Sequence, residues 1–188
     1  MGMQEYDALM GAARYPGDVL TLALGGVLSR SPIQGLDTQE LGRLRDRYFP
    51  AAGGETARCF EQPGGSGECP AFRDDEFADI VHLLLDHRRD DSEGTRWLAH
   101  AIATACLENN HLWQDMGLPS REVLSELLRR YFGSLYAKNA KNMKWKRFFY
   151  KQLCDRAEVN MCKAPSCKIC TDYAVCFGPE DGQASVGC

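Results

Sequence analysis

The stretch DDEFADIVHLLLDHRR, residues 74–89, decides the fold class. Phe77, Ile80, Val81, Leu84 and Leu85 recur at i, i+3, i+4, i+7 and i+8. That is one face of a 3.6-residue helix and not the alternation of a half-buried strand. His82 and His87 fall on its polar margin, where exposure to solvent is the expected state. Working outward, the same period continues in both directions. DVLTLALGGVLS at 18–29 reads as a short apolar helix weakened by Gly25 and Gly26. Asp37 and Glu40 form an Asp-containing capping box, opening a helix through Leu41, Leu44 and Tyr48 that Pro50 ends. Downstream, further helices are expected at about 94–109, 120–132 and 134–154. No strand ladder is visible. Residues 51–70 carry five glycines and two prolines with Cys59 and Cys69, and read as a flexible loop. The expectation is therefore an all-α protein, a compact bundle of about six helices over 1–154. A Cys-rich tail, 155–188, follows and binds a metal or cluster.

A weak internal repeat runs through these helices. VLTLAL at 19–24 resembles WLAHAI at 97–102, and GLDTQEL at 35–41 resembles GLPSREV at 117–123. Each copy then reaches Tyr-Phe, at Tyr48-Phe49 and Tyr131-Phe132. A duplicated helical pair accounts for this pattern. The second copy has the longer connection, CLENNHLWQDM, with Asn109, Asn110, His111 and Trp113. What one copy adds is a better candidate for function than what both share. His111 is thus the histidine to consider as a ligand or proton donor, against the plain alternative of a hydrogen-bonded structural residue.

A chain of 188 residues with 44% apolar and 26% charged residues fits a soluble globular domain. The first residues, MGMQEYDALM, show no basic start followed by an apolar run, and the longest apolar-rich run, 19–28, is too short to span a bilayer. A reducing cytoplasm is the expected location, with no membrane partner. The net charge of −4 conceals an asymmetry. Residues 1–95 hold 17 acids and 9 bases, whereas residues 96–154 hold 4 acids and 10 bases. Within KNAKNMKWKRFFYKQLC, 138–154, a continuous helix would place Lys141, Lys144, Arg147 and Lys151 on one face, opposite Trp145, Phe149 and Leu153. Such a face can be merely solvated, or it can draw in an oxyanion or dock an acidic partner. Nucleic acid ranks low, because the chain as a whole is acidic and the basic zone is one helix. There is no phosphate-loop pattern and no spacing that supports a Ser/His/Asp arrangement, so no enzymatic chemistry is read here.

Chemistry concentrates in the tail. Cys162, Cys167, Cys170 and Cys176 stand in the pattern C-x4-C-x2-C-x5-C. Thiolates this close in sequence can converge on one soft metal centre. The x4 and x2 gaps resemble the first three ligands of a plant-type [2Fe–2S] ferredoxin. Only Cys167 and Cys170 form the short knuckle that paired zinc sites use. Spacing leaves iron–sulfur and zinc both open. Cys154, at the end of the basic helix, is either an additional ligand or a small core residue. Cys59, Cys69, Cys106 and Cys188 have no partner pattern.

Three segments in order, NNHLWQDMGL (109–118), NMKWKRFFYKQLC (142–154) and CKAPSCKICTDYAVCFGPE (162–180), resemble the NifQ family of molybdenum carriers in nitrogenase cofactor biosynthesis. The resemblance is strongest over about 95–180. It implies an iron–sulfur protein, not an enzyme, that acquires molybdenum as a Mo–Fe–S cluster held by Cys162, Cys167, Cys170 and Cys176. The molybdenum would come from molybdate or another source. It would then pass to the scaffold that assembles the iron–molybdenum cofactor and to that scaffold's reductase partner. On this reading His111 and Cys154 are candidate additional molybdenum ligands. Lys141, Lys144, Arg147 and Lys151 are candidates for anion or partner docking. Two competing readings are a zinc-stabilised binding module, whose basic helix contacts nucleic acid or an acidic protein, and an electron-transfer protein.

Overall fold

Short polar side chains at the helix starts translate the sequence pattern into structure. In the computed structural model, which describes residues 2–61, 71–157, 173–178 and 180, the expected capping box forms: the Glu40 N–H donates to Asp37 Oδ1 at 2.7 Å, and the Asp37 N–H to Glu40 Oε2 at 3.1 Å. Ser92 Oγ likewise accepts from the Thr95 N–H at 3.2 Å, and Asp18 Oδ2 from the Thr21 N–H at 3.1 Å. Each satisfies a backbone donor that the first helical turn leaves without a partner. The helices are α1 (Gly2–Gly11), α2 (Val19–Leu28), α3 (Thr38–Tyr48), α4 (Ala71–Asp86) and α5 (Glu93–Cys106). They continue with α6 (Leu112–Asp115), α7 (Arg121–Tyr131), α8 (Gly133–Lys138), α9 (Trp145–Arg156) and α10 (Tyr173–Phe177). Among the described residues every regular element is helical, so the all-α expectation holds.

The central element is α5. Trp97, Leu98, Ala99, Ala101, Ile102 and Ala103 are all fully buried, a helix apolar on nearly every side. It packs against α2 and α4; α1 packs on α2 and α9 on α4. Phe49, Phe132 and Phe149 fill the same core.

The duplication is larger than a helical pair. The Arg14 N–H donates to the Tyr48 carbonyl at 2.8 Å, and the Arg89 N–H to the Tyr131 carbonyl at 2.8 Å. Arg14 and Arg89 each lie three residues past a helix, α1 and α4 respectively. Both Tyr-Phe sites end their helix in the same backbone conformation, Phe49 at φ −131°, ψ 54° and Phe132 at φ −132°, ψ 49°. Arg47 lies 5.7 Å from the Tyr48 ring centre and Arg130 5.4 Å from that of Tyr131. The repeating unit is thus α1–α2–α3, matched by α4–α5–α7. The short helix α6 occurs only in the second copy.

Two expectations need correction. Residues 54–60 of the supposed loop form a 3-10 helix that buries Thr56, Cys59 and Phe60, with Phe60 against Phe49 at 5.9 Å between ring centres; residues 62–70 lie outside the described residues. The single helix expected at 134–154 is broken. Asn139 bonds both backbone groups of Met143, accepting its N–H and donating to its carbonyl at 2.8 Å each, and Asn142 sits at φ 54°. An Asn side chain that ties the backbone locally in this way competes with helix continuation. The chain therefore turns at 139–144 and α9 starts afresh at Trp145. Together with α1, α6 and α10, this break raises the count above the six helices expected. No helix among the described residues is long and apolar enough to cross a membrane.

Candidate functional site

The segment unique to the second copy is organised around one carboxylate. After α5 ends, Asn110 and His111 lead into α6, whose last residue, Asp115, has a side chain only 2% exposed. Its oxygens accept from the Asn110 N–H at 3.0 Å, from Asn110 Nδ2 at 2.9 Å and from Lys146 Nζ at 2.6 Å. Arg30 Nη1 stands 3.9 Å away. A buried carboxylate is tolerated only when it is matched by opposite charge and hydrogen bonds, and here it has both. The partners are fixed in turn: Lys146 Nζ also donates to the Glu108 carbonyl at 2.8 Å, and Arg30 Nη1 to the Gln114 carbonyl at 2.5 Å. Arg30, Ser31, Thr104, Glu108, Asn110 and Asp115 line a cavity of about 210 Å³ beside this network. His111 is half-buried; its N–H donates to Gln114 Oε1 at 3.2 Å and its carbonyl accepts from the Asp115 N–H at 3.0 Å.

The end of the Cys-rich segment is fastened to the start of α9. The Lys144 N–H donates to the Cys176 carbonyl at 2.8 Å and Lys144 Nζ to the Ala174 carbonyl at 3.4 Å. Cys176 and Phe177 pack against the core. Arg121 Nη1 pairs with Glu180 at 3.2 Å, both side chains mostly buried, while Arg121 Nη2 donates to the Asn142 and Met143 carbonyls at 3.0 and 2.9 Å. The break at 139–144 that ends α8 is thereby the platform on which α10 is seated.

Of the four cluster cysteines, Cys176 is placed, and Cys162, Cys167 and Cys170 lie outside the described residues. Cys154, half-buried on α9, lies ten residues beyond Lys144, a rise of about 15 Å along a helix. Among the described residues no three His, Cys, Asp or Glu side chains converge as a metal site. The four basic residues do not lie on one continuous helix. Lys141 lies in the turn, Lys144 caps α9, Arg147 is exposed, and Lys151 Nζ pairs with Asp155 at 2.6 Å. Trp145 and Phe149 are buried and Leu153 packs on the core, as the wheel required. Lys146, Asp115 and Arg121 were missed by sequence reading. The one signal that pointed toward Asp115 was its place in the segment that the first copy lacks.

Two cysteines without a pattern prove to be core. Burial raises the Cys59 thiol, and Glu5 adds to the effect against Arg58. Cys106, fully enclosed, is pushed up to about 12 by burial, with Lys146 lowering it and Asp115 and Glu76 raising it. Both stay protonated and behave as small apolar side chains.

A family model, NifQ, matches residues 18–178, a span that includes the Asp115–Lys146 pair and all four cluster cysteines. The chain belongs to the NifQ family. It is 40% identical over 153 residues to Protein NifQ of Azotobacter vinelandii, covering 78% of this chain and 77% of that one. It is 38% identical over 157 residues to Protein NifQ of Rhodobacter capsulatus, covering 84% and 81%. A NifQ homolog of Sinorhizobium fredii is 35% identical over 160 residues, covering 85% and 67%. No solved structure matches the chain.

Proposed function

We propose that this protein is a molybdenum carrier and not an enzyme. It acquires molybdenum as a Mo–Fe–S cluster and donates it, in the cytoplasm, to the machinery that assembles the nitrogenase iron–molybdenum cofactor. The observation that carries this reading is the C-x4-C-x2-C-x5-C array, Cys162, Cys167, Cys170 and Cys176, inside the span that matches the NifQ family. Soft thiolates at this spacing suit an iron–sulfur core, and bridging sulfides can hold molybdenum. The cluster is cargo, so it must be both protected and released. The Lys144–Cys176 bond, the Arg121–Glu180 pair and the packing of Cys176 and Phe177 secure one end of the array to the helical body. Such a closure can open without unfolding the core. Lys141 and Arg147, both exposed, are suited to meet molybdate or an acidic face of the assembly scaffold or its reductase partner.

The test is anaerobic determination of iron, molybdenum, zinc and acid-labile sulfide in the purified chain. Iron and sulfide with molybdenum, lost in Cys167→Ala and Cys170→Ala, are expected. One zinc per chain that persists through reconstitution with iron and sulfide would end the carrier reading. A stable iron–sulfur cluster that never takes up molybdenum would favour electron transfer instead.

A further inference from the structure

We propose that the surface where the two repeat copies meet, bearing Arg14, Arg47, Arg89 and Arg130, docks an acidic face of another protein. The choice of that protein, the acceptor of the cargo, rests on the carrier reading; the surface itself does not.

The surface is built twice. The Arg14 and Arg89 N–H groups hold the Tyr48 and Tyr131 carbonyls, and Arg47 and Arg130 lie over the rings of those same tyrosines. Each corner therefore brings two arginines to one tyrosine. The corners adjoin: α2 touches α7, and Arg130 Nη1 stands 3.9 Å from Asp18, the residue that caps α2. Burial raises the Tyr131 hydroxyl above its ordinary value; Arg130 lowers it, and Asp18, Tyr48 and Asp90 raise it. Groups of both corners are thus within electrostatic reach of one another. Tyr15, beside Arg14, is 54% exposed, the most exposed large apolar side chain among the described residues.

Folding does not account for the guanidiniums. At positions 14 and 89 the main chain makes the structural bond, which any residue but proline could supply, yet both carry an exposed arginine side chain. Neighbouring arginines are matched: Arg45 pairs with Asp46 at 2.9 Å, Arg129 with Glu126 at 2.5 Å, and Arg88 with Asp91. Among the described residues Arg14, Arg47 and Arg89 have no ion pair, and Arg130 has only the long one to Asp18. The acids between them face inward. Asp18 Oδ2 accepts from the Thr21 N–H at 3.1 Å, and Asp90 Oδ1 from the Ser92 N–H at 2.9 Å and the Thr95 hydroxyl at 2.8 Å.

The chemistry sets the class of partner. A guanidinium steadied over an aromatic ring is a preformed fork for a carboxylate, and arginine and tyrosine are residue types that carry protein interfaces. Asp46, Asp91 and Glu126 are interspersed on the same surface, each exposed. They would repel an evenly charged polyphosphate or lipid surface, whereas a protein can set a base against each. Across a two-fold axis the surface would oppose arginine to arginine, so a second copy of this chain does not fit. The surface is also clear of the Cys176 end of the array. Arg130 lies nine residues beyond Arg121 on α7, about 14 Å along the helix from the residue that pairs with Glu180.

The test measures binding of the full chain, reconstituted anaerobically with iron, sulfide and molybdate, to the purified cofactor-assembly scaffold at low and high salt. The variants are Arg14→Glu/Arg47→Glu, Arg89→Glu/Arg130→Glu and, on the other basic surface, Lys141→Glu/Arg147→Glu. Each arginine reversal should weaken binding about tenfold or more, the scale of arginines that carry an interface, with slower association and a smaller salt dependence. Iron, molybdenum and the thermal midpoint should stay as in the unaltered chain. If a reversal lowers the midpoint, the same pair changed to Gln should still show the loss. Binding unaffected in folded arginine variants would overturn the proposal, as would a loss confined to Lys141→Glu/Arg147→Glu. So would an unaltered chain that does not bind the scaffold, or that binds heparin or phosphatidylserine vesicles as tightly. A chain that binds the scaffold through these arginines but forms no cluster would end the carrier reading and leave the docking surface standing.

Discussion

Replacing Gly26 by alanine should destabilise the protein, against the ordinary trend of helices. In a helix interior alanine is favoured over glycine by about 1 kcal/mol. Gly26, however, lies where α2 meets the backbone that follows α6. A Cβ there would stand 2.0 Å from the Met116 carbonyl oxygen, 2.9 Å from its carbon and 3.0 Å from Gly117 Cα. Normal contact needs about 3.5 Å. The opposing atoms are main chain, and no rotamer change relieves them. The approach is reciprocal, since Gly117, at φ +64°, would place its own Cβ 2.8 Å from Gly26 Cα. Overpacking of this kind costs about 1–3 kcal/mol. Near the upper limit, set against the propensity gain, the net loss is about 2 kcal/mol. For a chain of this length that is a fall of about 4–8 °C in the thermal midpoint. Gly42 on α3 is the internal control: nothing lies within 4 Å of its added Cβ, so Gly42→Ala should raise the midpoint by about 2–4 °C. Thermal and urea unfolding followed by far-UV circular dichroism would measure both. A Gly26→Ala midpoint equal to or above that of the unaltered chain would refute the close approach.

Stability should fall on acidification from about pH 7 to 5. Burial lowers the His100 pKa from its ordinary 6.5, and burial with Lys138 and Arg156 nearby lowers that of His87. In both the folded value lies below the unfolded one, so the neutral ring is the form that folds. The stabilisation is complete above the unfolded value and is lost as pH falls through and below it. His100→Gln should flatten urea midpoints between those pH values, and an unchanged slope would show that His100 is not the group responsible. Thiol labelling of the metal-free native chain offers a third check. Cys59 and Cys106 should react with a disulfide reagent only on unfolding, because burial holds both as thiols. Labelling of Cys106 as fast as that of half-buried Cys154 would contradict its enclosure.

The helices that were legible have their signals within one turn of themselves. Asp37 and Glu40 bond each other's backbone at a spacing of three residues, and the Phe77–Leu85 face repeats within α4. Tyr-Phe at the end of both α3 and α7 betrayed the duplication, although the full unit needed the Arg14–Tyr48 and Arg89–Tyr131 bonds to be seen. The break inside 134–154 was not legible. Asn139 and Asn142 are each tolerable in a helix, and only the bonds to Met143 and from Arg121 make a turn the better state. Lys141 falls off the helix of the basic stripe for the same reason.

By itself, the sequence determined the helical class, the repeat, the family and the four-cysteine array, because periodicity, capping and ligand spacing are short-range properties. The tertiary structure alone decided that Lys146, one base among many, is the buried partner of Asp115, 31 residues earlier. It likewise decided that Cys176 is tied to Lys144 and Glu180 to Arg121. Burial and charge pairing depend on which segments the core brings together, and no local window of residues contains that information.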